Sequence, residues 1–100
     1  MFKFKPDNIY KKYNFLISKY VEAMRTNIID YMEKDFNKLD KFFIKNEKYL
    51  PMEVQKYHHK LAFLHYEKII PAFLSANIDV AHYEDKKNYH KSIYNQKSLV

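Results

Sequence analysis

Histidine is the side chain best suited to proton transfer and metal ligation near neutral pH, because its ordinary pKa lies near ~6.5. Three of the five histidines in this 100-residue chain fall within "QKYHHKLAFLHYEKIIP", residues 55 to 71. Two histidines on one helix share a metal ion when they stand at i and i+4, one above the other. That spacing is missing here. His58 and His59 are adjacent and diverge by about 100° on a helix, while His58 and His65 lie about 10.5 Å apart along its axis. Asp79, His82 and Asp85 form a row at i, i+3 and i+6, but at the expected end of a helix. A metal would need ligands from a second helix, and no metal or cofactor site is expected.

A histidine base also needs a nucleophile and an orienting group within reach. Ser18, Ser75, Ser92 and Ser98 sit in no nucleophile motif. No catalytic residue is assigned and the chain is not read as an enzyme. His58 and His65 are instead expected beside an apolar helical seam, each making one hydrogen bond, with His59 in solvent.

The absences in the composition narrow the field further. With no cysteine there are no disulfides and no thiolate metal sites, and the expected location is intracellular. "MFKFKPDNIYKKYNF" lacks the apolar stretch of a secretory signal, so none is expected, and runs such as "IIPAFL" are far shorter than the ~20 residues that span a bilayer. There is no glycine at all. Phosphate-cradling loops and nucleophile elbows depend on glycine, as do most tight hairpins and helix C-caps. A glycine-free chain points to long helices joined at a few corners served by asparagine or proline.

The elements that would position these residues follow from the apolar spacing. After an N-cap at Asp7 or Asn8, the residues Ile9, Tyr13, Leu16 or Ile17, Tyr20, Met24, Ile28 and Tyr31 recur every three or four positions, followed by Met32, Phe36, Leu39, Phe42 and Phe43. The pattern predicts one helix over residues 8 to 45, with a break near 26 to 37 as the alternative. "KNEKYLP" reads as a corner, with Pro51 opening a second helix over 51 to 70 whose seam is Val54, Tyr57, Leu61, Leu64 and Lys68 or Ile69. Pro71 should end, kink or restart that helix. A shorter third helix is expected over 72 to 84. Residues 86 to 100, polar and basic, read as a flexible tail. The expected fold class is all-α: a long helical hairpin plus a shorter third helix, a small bundle forming a single domain over residues 1 to 85.

Two binding functions compete on this scaffold. Eighteen residues are aromatic, more than three short stripes can bury, and aromatic side chains are enriched in interface cores. The first expectation is therefore a non-enzymatic protein-interaction protein, an accessory subunit, adaptor or inhibitor docking on a larger protein or complex, with homo-oligomerisation as another way to cover the surplus. Its contact residues would be Phe2, Phe4, Phe42, Phe43, Tyr89 and Tyr94. The alternative uses the net charge of +6 and pI of about 9.4 to bind nucleic acid without sequence preference, through Lys3, Lys5, Lys11, Lys12, Lys86, Lys87 and Lys91. Seventeen of the eighteen basic residues are lysine, Arg25 being the exception, and lysine reads base edges poorly. A lysine-, asparagine- and isoleucine-rich composition is also what an AT-rich genome, such as that of a virus or parasite, would produce. No stretch carries a family signature.

Overall fold

The computed structural model describes residues 6–98. Among these the fold is all-α, with four helices and no strand: α1 (Pro6–Thr26), α2 (Ile29–Asn46), α3 (Met52–Ser75) and α4 (Ala81–Ser98), and a single 3₁₀ turn over Glu47–Tyr49. Contacts divide the chain into two compact units, Met1–Pro51 and Met52–Val100, where the sequence suggests a single domain over 1 to 85.

In the first unit α1 packs on α2 as a helical hairpin. The long helix expected over 8 to 45 is broken at Asn27, the alternative that the spacing left open. Thr26 Oγ1 donates to the Ala23 carbonyl at 2.6 Å and accepts from the Ile28 amide at 3.2 Å, turning the chain out of α1. Asn27 takes the left-handed conformation with φ 56°, a position glycine usually fills. Ile9, Tyr13, Tyr20 and Ala23 of α1 bury against Met32, Phe36, Leu39 and Phe43 of α2. Two ring pairs give the register: Tyr13 with Phe43 at 6.1 Å, and Tyr20 with Phe36 edge-on at 5.2 Å. Each pair is disposed symmetrically about Ile28, as an antiparallel hairpin requires. Ile28 and Tyr31, expected in the stripe, are exposed because they belong to the turn and its outer side.

In the second unit α3 packs on α4. Here the sequence reading needs three corrections. First, α3 runs through Pro71 to Ser75. The proline withdraws one backbone donor, but Ile69, Ile70 and Phe73 are all buried across it, and the Ser75 hydroxyl donates to the Pro71 carbonyl at 3.0 Å. Second, no separate helix spans 72 to 84, because α3 itself continues to Ser75 and closes at Asn77. The Ile78 amide donates to the Phe73 carbonyl at 2.9 Å and the Asn77 amide to the Leu74 carbonyl at 3.0 Å, with Asn77 at φ 60°. This is the Schellman arrangement, again with asparagine in glycine's place. Third, residues 81–98, read as the end of a helix and a basic tail, form α4. Asp79 Oδ1 accepts from the Ala81 amide at 3.0 Å and caps its start.

The buried face of α3 also differs from the predicted seam. Tyr57 and Leu64 are 52% and 44% exposed, and the face turned inward is His58, His59, Ala62, His65, Tyr66, Ile69, Ile70 and Phe73. Val54–Tyr57–Leu61–Leu64 and His58–Ala62–His65–Ile69 both satisfy a helical period, and only packing chooses between them. Among the described residues no buried side-chain nitrogen or oxygen lacks a partner, and no helix is long and apolar enough to cross a membrane.

Candidate functional site

Two concave surfaces lie on the first unit around Phe42. Two turns of geometry put it there: Phe43, one residue on, points into the α1–α2 core, so Phe42 emerges about 100° away at the edge of the hairpin. The Asn46 side-chain amide donates to the Phe42 carbonyl at 2.9 Å and holds the last turn of α2. One concavity, of about 270 Å³, is lined by Asn8, Ile9, Lys12 and the half-buried Phe42. A second, of about 380 Å³, is lined by Lys41, Phe42, Ile44 and Lys45. Phe42 is common to both. Ile44 is 60% exposed, so the surface is largely apolar with Lys12, Lys41 and Lys45 in its lining. Lys12 also stands over the Phe15 ring at 5.6 Å, opposite Lys19 at 5.5 Å, which spreads the cationic character along α1.

The other expected contact residues fare differently. Phe43 is fully buried against Tyr13 and is a core residue, because the inward stripe of α2 runs through 32, 36, 39 and 43. Tyr89 is exposed, and Tyr94 is half-buried with its ring 5.8 Å from Phe63. Phe2 and Phe4, with Lys3 and Lys5, lie outside the described residues. The remaining lysines of the nucleic-acid reading are split between the units, Lys11 and Lys12 on the first and Lys86, Lys87 and Lys91 on the second. Lys87 stands 4.0 Å from Glu84, a weak surface pairing.

The histidines form a site that the spacing within one helix did not reveal. His59, expected in solvent, is buried, as are His58, His65 and His90. His59 and His90 meet across α3 and α4 with their Nδ1 atoms 2.9 Å apart. The His58 ring is 5.9 Å from that of His90, and Tyr66 stacks on His90 at 6.3 Å. Two zinc ligands at ~2.0 Å from one ion would sit about 3.3 Å apart at the tetrahedral angle, and a closed site takes four. No group of three or more histidines and carboxylates that could hold a metal ion occurs among the described residues. The signal that could have found this pair is His90, the single histidine of residues 86 to 100, 31 residues from its partner.

Comparison with known proteins finds no family model, no curated protein and no solved structure that matches the chain.

Proposed function

We propose that this chain is a non-enzymatic protein-docking module whose contact surface is the Phe42 region of the first unit. The observation that carries the reading is one half-buried aromatic ring shared by two apolar concavities and bordered by Lys12, Lys41 and Lys45. An aromatic anchor in a partly desolvated setting is the kind of residue that dominates binding energy, and cations around it select a partner of opposite charge. The partner segment that fits is acidic, with an aliphatic or aromatic side chain to cover Phe42 and carboxylates placed to meet the lysines.

The test is titration of the purified full chain with labelled amphipathic peptides rich in glutamate and carrying a leucine or phenylalanine anchor, followed by NMR shift mapping. Support would be saturable binding with shifts at Ile9, Phe42 and Ile44, weakened about tenfold or more, ~1.4 kcal/mol, by Phe42→Ala. Equal binding by Phe42→Ala, or equal binding of lysine-rich peptides, would refute it. Binding of single-stranded DNA that is untouched by Phe42→Ala and falls steeply with salt would transfer the function to the lysines.

A further inference from the structure

His90 has a position in α4 that no other residue shares. Among the described side chains of that helix it alone is buried, at 1% exposure, while the rest are half-buried or exposed. The inward contact of α4 is thus centred on a titratable ring, and its hydrogen-bond partner at 2.9 Å is a second buried histidine, His59 of α3. The proton arithmetic of such a contact is restrictive. With both rings neutral, one Nδ1–H donates to the other ring's lone pair. With one added proton the imidazolium still donates to a neutral acceptor, in a stronger charge-assisted bond. A second added proton puts N–H donors on both facing atoms, leaving no acceptor and two like charges in contact.

We infer that the His59–His90 contact is an acid-sensitive latch, holding α4 on α3 while the pair carries at most one added proton and releasing it when both rings are charged. The rings that face the pair include His58 and Tyr66 from α3 and Tyr89 from α4, whose ring is 5.1 Å from His90. Phenols ionise near pH ~10 and bring no charge in acid. His58 is the one of these neighbours that can charge there, and its charge has the same sign as theirs. The direction follows from linkage. Two separated rings can each hold an added proton, whereas two rings in Nδ1–Nδ1 contact have room for one between them, so the open state binds more protons in acid and stability is lost as pH falls. The latch is independent of the Phe42 surface, which lies in the other unit.

The experiment is an acid titration of the full chain in chelator-containing buffer, read by amide hydrogen exchange corrected for intrinsic rates. Between about pH 7.5 and about pH 5.5, protection over residues 81–98 is expected to fall severalfold, up to about tenfold, more than protection in α1 and α2. His90→Asn places a non-titrating amide near the position of Nδ1 and should remove at least half of that fall, whereas His82→Asn, on the exposed side of α4, should leave it intact. Unchanged protection of α4 in acid, or an equal fall in His90→Asn, overturns the latch. Should His90→Asn fail to fold, ¹⁵N NMR of the wild-type ring nitrogens decides: a proton shared between the two Nδ1 atoms near neutrality supports it, and two fully protonated rings with α4 still ordered in acid refutes it.

Discussion

Asn27 and Asn77 occupy left-handed backbone, φ 56° and 60°, at the two corners where a glycine would ordinarily end a helix. Asparagine tolerates that region because its short amide can compensate locally, whereas a residue with an ordinary Cβ loses roughly 1–2 kcal/mol there. Asn77→Ala should therefore cost about 1 kcal/mol in urea unfolding, and Asn77→Gly should cost nothing or stabilise slightly. Phe36 is the complementary case, wholly buried and edge-on to Tyr20. Phe36→Ala should destabilise by ~3–5 kcal/mol, because the cavity adds to the lost transfer energy. The Asn27 corner is open as an alternative in the spacing and Phe36 is legible from it, whereas Asn77 falls in the middle of the helix expected over 72 to 84. His59 is not legible either. An adjacent histidine pair places one ring about 100° from the other, and that both are buried depends on a helix that starts more than twenty residues later.

Helix α3 shows why an element can be predicted correctly and its inner face missed. It carries apolar residues on two sides, so Tyr57, Leu61 and Leu64 imitate a core stripe as well as Ala62, Ile69 and Phe73 do. If the observed face is right, Leu64→Glu should change the urea midpoint by no more than ~0.5 kcal/mol equivalent, as surface changes do. Ala62→Glu, at a position with no exposure, should prevent α3 and α4 from packing, which circular dichroism would register as lost helix. Pro71 lies inside α3 and removes a donor to the Glu67 carbonyl. Pro71→Ala should restore it and raise the unfolding free energy in urea by up to the ~3 kcal/mol that separates the two residues in a helix interior. The C-terminal segment reads as a tail because nothing in its own composition supplies a core. It is held as a helix by rings on one side, Tyr83 on Phe73 at 5.2 Å, His90 on His59 and Tyr94 on Phe63, contacts that exist only once α3 is present.

At the scale of the whole chain the contacts fall into two units that meet in sequence at Pro51 and Met52. Units this small bury a modest fraction of their surface and hold few contacts in reserve, so local opening should follow the unit boundary. Hydrogen exchange on Phe36→Ala should show lost protection concentrated in α1 and α2, while Ala62→Glu shows it in α3 and α4. A uniform loss in either variant would mean that the chain opens as one body. What the sequence alone determined is the all-α class and most of the apolar stripe from Ile9 to Phe43 that forms the core of α1 and α2, because helical period and the lack of glycine are local properties that agree with one another. Tertiary structure decided which face of α3 is inside, that residues 81–98 are a helix, and that His59 meets His90. Those outcomes rest on contacts between residues far apart in the chain, and a two-faced stripe or a polar segment carries no local energy large enough to choose among them.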